Sequence, residues 1–179
     1  MLNIILIALA VIVVLLIAVV ATRPSNFRVT RTGRISAPAD VVFANVNTLR
    51  NWEAWSPWAR MDPNAKSTFS GPDSGPGSSM HWSGNKKVGE GRMTIMDSKP
   101  NEVIHIKLEF LRPMKVTNIA EFLFKADGNQ TTVTWSMSGK NNFVGKAFHL
   151  IVDCDKMIGR DFEKGLANLN SVSQSMVKS

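Results

Sequence analysis

Few side chains in this sequence are placed to carry out acid–base chemistry. Glu53, His81, Arg92 and Glu109 are the ionisable residues nearest to segments that could form a pocket. Alternation along their strands puts His81 and Glu109 on the face opposite to their apolar neighbours. The sequence has no tyrosine, and no Ser/His/Asp or Cys/His arrangement is recognisable. No catalytic residue is therefore predicted.

Metal and thiol chemistry are also disfavoured. His81, His105, His149 and Cys154 lack the spacing of metal ligands, so neither a metal site nor a cofactor is predicted. Cys154 lies between two aspartates, which would disfavour a thiolate. As the single cysteine it also excludes an internal disulfide.

Large apolar side chains are abundant and suit a different kind of site. Pockets for small ligands usually have apolar walls with a few polar groups. Each candidate lining residue can also be plain core, and the set is Trp55, Trp58, Met80, Trp82, Met93, Ile95, Ile106, Leu108, Phe122, Trp135, Phe162 and Leu166. Nine methionines favour a pocket that adapts its shape.

Three tryptophans, Trp52, Trp55 and Trp58, fall within seven residues. They fit core packing under the first helix of the domain. They also fit the rim or lid of a pocket. Contact with lipid headgroups is a third interpretation, because tryptophan is enriched at membrane interfaces.

The elements that position these residues follow from periodicity. Alternation predicts a strand over 27–35, a short strand over 66–70 and a run of antiparallel strands over 78–137. Ser36 is predicted to cap a helix that ends near residue 50. Apolar residues from Ile158 to Met176 step by three and four, which predicts an amphipathic helix of about 20 residues. This order of elements indicates an α+β fold.

The N-terminus has a different composition. Residues 4–21 contain only Ile, Leu, Val and Ala, and a helix over them would be about 27 Å long. A bilayer core is about 30 Å thick. We expect a transmembrane anchor over 1–22, a connector over 23–26 and one domain over 27–176. A cleaved signal peptide is the rival, which the missing basic n-region and the long apolar run disfavour; a buried core helix is the third alternative.

The chain carries a net charge of +7. Arg23, Arg28, Arg31 and Arg34 follow the apolar segment, and each would contribute about 1 kcal/mol beside an anionic leaflet. The positive-inside rule then favours a cytoplasmic domain. The cations are scattered and no nucleic-acid-binding motif is present, so nucleic acid is not a predicted partner.

Several segments resemble one superfamily. Residues 35–43 (ISAPADVVF) and 51–58 (NWEAWSPW) resemble the opening of the START-like superfamily, also called SRPBCC, and within it the polyketide cyclase/dehydrase and lipid-transport-like group. Residues 80–82 (MHW), 89–91 (GEG), 131–135 (TTVTW) and 161–166 (DFEKGL) fit the same pattern. The resemblance covers about residues 27–172 and implies a helix-grip (START/Bet v 1-like) fold. In that fold a curved antiparallel sheet wraps around a long C-terminal helix, with a hydrophobic cavity between them.

The resemblance also implies a range of functions. The first is membrane-anchored binding of a lipid or another hydrophobic small molecule in the helix-grip cavity. The alternatives are a cyclase/dehydrase-type enzyme acting on an apolar substrate, and a structural or protein-interaction module with a filled core. Because the similar proteins are bacterial, the expected location is the bacterial inner membrane. The expected partners are the bilayer and an apolar ligand.

Overall fold

The computed structural model describes residues 1–178, apart from the side chain of His149. The first part of the chain forms α1 (Leu2–Thr22), β1 (Asn26–Ile35), α2 (Ala39–Asn47), a 3₁₀ turn (Leu49–Asn51) and α3 (Trp52–Trp55). The strands that follow are β2 (Lys66–Ser70), β3 (Ser79–Ser83), β4 (Glu90–Lys99), β5 (Val103–Arg112), β6 (Val116–Asp127) and β7 (Gln130–Lys140). The chain closes with α4 (Phe143–Ile151) and α5 (Cys154–Lys178).

The strands form one antiparallel sheet in the order β1-β7-β6-β5-β4-β3-β2. Strands β2 to β7 each pair with the next along the chain, as short turns between antiparallel strands allow. β1 pairs with the last strand, with Asn26 opposite Lys140 and Ile35 opposite Thr131. The register shift between Ile95 and Asp97 in β4 is a bulge, which bends a strand locally. The α+β helix-grip fold predicted from the sequence is confirmed.

α5 lies against the inner face of this sheet and runs for 25 residues, longer than the periodic stripe predicts. Its buried side includes Phe162, Leu166 and Leu169. α5 approaches the sheet closely where its sequence has glycine in place of a larger residue. A Cβ added at Gly165 would come within 2.7 Å of the indole of Trp135. The DFEKGL segment therefore lets α5 pack directly on β7.

α2 begins differently from the prediction. Its N-cap is Pro38, and among residues 1–178 no described side chain forms a capping hydrogen bond with the helix. Ser36 is not the cap: it lies two residues before Pro38, and its backbone N–H donates to Oδ1 of Asn170 at 2.8 Å. The turn after β1 is thus held by a contact with α5. A capping rule considers only residues close in sequence, so it does not predict this contact.

α1 is an apolar helix of 21 residues whose length and composition are sufficient to cross a membrane. Such a helix fits either a membrane anchor or a signal sequence. Val20, near its C-terminal end, is buried, and the carbonyl of Ala21 accepts a hydrogen bond from Nζ of Lys146 at 3.4 Å. The end of α1 therefore packs on the domain beside α4.

Three of the four arginines that follow α1 are paired with carboxylates. The pairs are Arg28 with Glu121, Arg31 with Asp155 and Glu163, and Arg34 with Asp127. Their attraction to an anionic leaflet is consequently offset within the folded domain. The positive-inside rule is unaffected, because it counts Lys and Arg and gives little weight to acidic residues.

Candidate ligand site between the sheet and the C-terminal helix

The twelve residues proposed to line a pocket come together in one apolar cluster between the sheet and α5. Eight of them are buried: Trp55, Met93, Ile95, Ile106, Phe122, Trp135, Phe162 and Leu166. The other four, Trp58, Met80, Trp82 and Leu108, are partly buried and pack against the first eight. The fold thus assembles the predicted set from seven different segments of the chain.

Aromatic rings fill the centre of this cluster. Trp135 stacks on Phe162 with ring centroids 4.0 Å apart and an interplanar angle of 8°. Phe122 also stacks on Trp135, at 4.8 Å and 26°. The edge of Trp58 meets both Trp135 and Phe162, at 5.8 and 6.4 Å. The space that the resemblance assigns to a cavity is occupied by this stack, which we call the Trp135 stack (Phe122, Trp135, Phe162).

The tryptophan cluster after α2 belongs to the same core. Trp52 and Trp55 are buried, and their edges meet Phe122 at 5.7 and 6.2 Å. Nε1 of Trp52 donates to the carbonyl of Val46 at 2.9 Å, and Nε1 of Trp55 donates to that of Asn45 at 3.1 Å. For these two residues the core-packing interpretation holds. Trp58 is partly exposed at the margin.

Two buried polar atoms on the inner face of the sheet lack a hydrogen-bond partner among the described residues. They are Nε1 of Trp135 and Oδ1 of Asn118, and both side chains are buried. An unsatisfied buried polar atom costs about 1–3 kcal/mol. A molecule that accepts from Nε1 of Trp135 or donates to Oδ1 of Asn118 would recover part of that cost. Sequence reasoning missed Asn118. The available signal was its polar side chain at an inward position of β6, in register with Ala120 and Phe122.

Arg31 holds the first half of α5 on β1. Its Nε donates to Glu163 at 2.8 Å, and one of its terminal nitrogens donates to Asp155 at 3.0 Å. The guanidinium lies over Gly159, where a Cβ would collide with it. The hydrogen bond with Asp155 and then that with Glu163 raise the pKa of Arg31, so the cation persists at every working pH.

The four ionisable candidates lie outside the cluster. Glu53 and Arg92 are exposed. His81 contacts Glu90 at 3.2 Å, and Glu109 pairs with Lys107 at 2.7 Å, both on the outer face. Among the described residues, no Asp, Glu or His points into the aromatic interior.

Glu90 forms an ion pair at the edge of β4. Its carboxylate pairs with Arg112, and this hydrogen bond holds its pKa below the ordinary value. A lowered pKa is the opposite of what a general acid in an apolar pocket needs.

Sequence reasoning also missed a polar network on the outer face of the sheet. His105 bonds to Asp97 at 2.8 Å and to Glu121 at 3.1 Å, and Glu121 also accepts from Arg28 at 2.7 Å. The hydrogen bond with Asp97, the larger influence, and that with Glu121 raise the pKa of His105 against the effect of burial. Burial alone would raise the pKa of Glu121, but Arg28 and His105 together lower it. The network joins four strands and lies away from the interior.

The remaining nucleophile and the candidate metal ligands add no chemistry to the site. Cys154 is buried at the start of α5, and burial, followed by the charge of Asp153, raises the pKa of its thiol. In the part of the chain that the structure describes, no group of three His, Cys, Asp or Glu side chains could hold a metal ion. The prediction for His149 concerns a side chain outside the described residues.

Two surface hollows lie away from the cluster. One, of about 320 Å³, lies where α1, β1 and α4 meet and is lined by Arg23, Pro24, Asn26, Phe27, Asn141, Lys146 and Leu150. The other, of about 40 Å³, lies beside Arg50 and Phe69. The first has the size of a small-ligand site, and its walls include two cations.

The sequence pattern of one family covers most of the chain. The family is described as polyketide cyclase / dehydrase and lipid transport, and the match extends over residues 26–174. No curated protein matches the sequence.

Solved structures share the fold at low sequence identity. The Zhui aromatase/cyclase from a Streptomyces species is 15% identical, with a TM-score of 0.62, over 85% of this chain and 96% of that one. A protein from Nitrosospira multiformis is 15% identical, with a TM-score of 0.60, over 86% and 100%. Ara h 8.0201 is 7% identical, with a TM-score of 0.58, over 84% and 99%. At these identities the likeness establishes the fold alone.

Proposed function

This chain belongs to the polyketide cyclase/dehydrase and lipid-transport family, and we propose that it binds a lipid or another hydrophobic small molecule between its sheet and α5. The family and the fold support a hydrophobic-ligand or cyclase role in general terms. The observation that carries the more specific proposal is the interior itself. Its walls are aromatic and aliphatic, and two buried polar atoms on Trp135 and Asn118 have no partner among the described residues.

A ligand that is apolar and carries neutral polar groups would fit both the apolar walls and the two unpartnered polar atoms. An apolar body would replace ring–ring contacts with ring–ligand contacts of similar energy, since both are apolar surface removed from water. A carbonyl or ether oxygen would accept from Nε1 of Trp135, and a hydroxyl or amide would donate to Oδ1 of Asn118. The proposed ligand is therefore an apolar molecule with one or two neutral polar groups.

Binding requires the Trp135 stack to open, because its rings occupy the space. Phe162 belongs to α5, and its partner Trp58 is partly exposed at the margin of the cluster. Arg31 ties the first half of α5 to β1 through charged contacts at the surface. A small outward movement of this half of α5 would withdraw Phe162 from Trp135 and admit a flat ligand.

We further propose that α1 remains attached and anchors the domain to a membrane. In this arrangement residues 1–22 span the bilayer, 23–26 connect, and 27–176 form the ligand-binding domain on the cytoplasmic side of a bacterial inner membrane. The 21 residues of α1 give a length of about 31 Å, which matches a bilayer core of about 30 Å. The intact mass of the chain in the membrane fraction tests retention of α1, and loss of residues 1–21 would identify a signal peptide.

The binding proposal is tested on the full chain extracted in a mild detergent. Solvent extracts are analysed by mass spectrometry for co-purified apolar molecules, and a fluorescent fatty acid is titrated against the protein. Asn118→Leu removes the unpartnered acceptor and should weaken binding about three- to tenfold, the equivalent of one net hydrogen bond. Asn45→Leu is the matched control, because Asn45 is also buried with an unpartnered Oδ1 but lies where α2 meets α5.

The stability of Asn118→Leu gives a second readout. Leucine has a similar size and leaves no orphaned acceptor, so the free energy of unfolding should stay constant or rise while binding falls. Equal binding by both asparagine variants would place the ligand elsewhere. Absence of any extracted molecule and of saturable probe binding would reject the proposal.

A membrane-tethered interaction module is the second candidate, and the filled Trp135 stack favours it. In that case the aromatic interior serves stability alone, and the wild-type chain binds no apolar probe. A cyclase-type role would have to rely on shape and on neutral groups such as Asn118, because the titratable candidates lie on the outer surface.

A further inference from the structure

α4 presents its apolar side to the outside of the molecule. Phe143, Val144, Phe148 and Ile151 are 49%, 59%, 48% and 87% exposed. At about 100° per residue these four positions, with Ala147 between them, fall within an arc of about 140° on one face of the helix. A surface helix of a globular domain normally turns this face to the core. Here the orientation is reversed.

The polar side of α4 faces the domain and the end of α1. Asn142 caps the helix, accepting from the backbone N–H of Gly145 at 2.8 Å. Lys146 is half-buried and donates to the carbonyl of Ala21 at 3.4 Å. α4 thus lies level with the last turn of α1, where a spanning helix leaves the hydrocarbon core and enters the headgroup region.

The strand register brings further apolar groups to the same end of the domain. Asn26, which follows the α1 connector, pairs with Lys140 at the end of β7. β6 begins beside that end, because Asn118 pairs with Gly139. The β5–β6 turn therefore lies there too, with Leu111 and Met114 among the exposed large hydrophobic residues.

The partly exposed margin of the cluster, which we take as the mouth of the proposed ligand site, lies at this end. Trp82 pairs with Gly91, and Gly91 pairs with Phe110, the last inward residue before the β5–β6 turn. The rings of Trp82 and Phe110 meet edge-to-face at 5.8 Å and are both partly exposed. The fully buried members of the cluster, such as Ile104 and Phe122, lie farther from the turn.

From these placements we propose that α4 and the β5–β6 turn rest on the bilayer that α1 spans, with anionic lipid headgroups in the cleft between Arg23 and Lys146. An interfacial helix has an apolar face and cations beside it, and α4 has both. The cleft of about 320 Å³ lies between the two cations at headgroup depth. This inference rests on the proposed anchoring by α1. It also implies that the ligand passes directly between the bilayer and the mouth of the site.

The test uses the full chain in vesicles, with single cysteines that carry an environment-sensitive fluorophore. The native cysteine is removed as Cys154→Ala. Phe148→Cys reports on α4, and Leu123→Cys is the matched control, because Leu123 is 42% exposed on β6 toward the opposite end. Leu9→Cys reports on the middle of α1. Quenching is measured with nitroxide-labelled lipids and with aqueous iodide.

Quenching by headgroup-labelled lipid should be about threefold stronger at position 148 than at 123, because interfacial helices bury their apolar face about 5–10 Å into the headgroup boundary. Equal lipid quenching at 148 and 123, with position 9 quenched by chain-labelled lipid, would overturn docking and leave the anchor intact. Absence of lipid quenching at position 9 would overturn both. Protection of 148 from iodide without lipid quenching would mean that protein covers α4, which also overturns the proposal.

The charge requirement has its own control. Vesicles of phosphatidylcholine with and without phosphatidylglycerol are compared. Lys146→Glu should reduce the gain in quenching at position 148 that phosphatidylglycerol produces, and Lys125→Glu, on an exposed position of β6, should not. An identical response of the two variants would remove the headgroup cleft from the proposal.

Discussion

Replacement of Phe162 by alanine tests whether the Trp135 stack is filled in solution. Phe162 is 1% exposed and stacks on Trp135 at 4.0 Å. Removal of a buried phenyl ring from a packed core costs about 3–5 kcal/mol. Against a total stability of about 5–15 kcal/mol the variant should remain folded at moderate temperature. The milder Phe162→Leu keeps part of the apolar volume and should cost less than the alanine variant.

Urea unfolding of the full chain in micelles, followed by near-ultraviolet circular dichroism and tryptophan fluorescence, measures this loss. Leu169→Ala is the internal control, because Leu169 is fully buried on the same helix two turns farther on. Its expected cost is about 2–5 kcal/mol. A loss below about 1 kcal/mol for Phe162→Ala, with the full loss for Leu169→Ala, would refute the packed stack and show that this half of α5 is already open.

The Phe162→Ala variant also tests whether the interior can bind a small apolar ligand. Removal of the phenyl ring leaves an apolar space against the Trp135 ring, and a small aromatic molecule that fills it stabilises the folded state by mass action. Benzene should therefore raise the unfolding midpoint of Phe162→Ala more than that of Leu169→Ala. If benzene leaves the unfolding midpoint of Phe162→Ala unchanged, no space forms beside the indole.

Three further perturbations follow from the contacts around α5 and on the outer sheet face. Gly165→Ala, which would gain about 1 kcal/mol in a free helix, should instead cost about 1–3 kcal/mol in urea unfolding, because the new Cβ meets the indole beneath it at 2.7 Å. Asp97 raises the pKa of His105, so the contribution of His105 to stability is full below about pH 6.5 and is lost as pH rises through the folded pKa. In the His105→Gln variant the urea midpoint of unfolding should therefore depend less on pH in that range. Arg31→Gln should speed amide exchange in the first turns of α5, which it clamps, whereas Arg34→Gln, whose ion pair lies elsewhere, should leave that exchange unchanged.

Much of the fold follows from short-range patterns. Backbone geometry within a few residues sets the alternation in β5 and the spacing of Phe162, Leu166 and Leu169 in α5. Both elements could therefore be predicted from the sequence. The pocket-lining set followed from the same alternation, because it marks every residue on the inner face. Alternation does not predict whether a cavity lies between the inner face of the sheet and α5.

Other features depend on partners far away in the chain. The turn before α2 is held by Asn170, which lies 134 positions later and accepts the backbone N–H of Ser36. The pKa of His105 is raised by Asp97 and then by Glu121, on the two neighbouring strands, and Arg28 reaches Glu121 over 93 positions. No local periodicity encodes these contacts.

The sequence by itself determined the apolar helix, the order of helices and strands along the chain, the long amphipathic helix and, through its motifs, the family. The helices and strands follow from composition or from a period of two or 3.6 residues. The tertiary structure alone decided that aromatic rings meet in a filled stack and that α4 turns its apolar face outward beside α1. It also decided that one polar atom each of Asn118 and Trp135 has no hydrogen-bond partner among the described residues. These outcomes depend on how packed surfaces compete for volume and for hydrogen-bond partners, and that competition is settled only when the whole chain is folded.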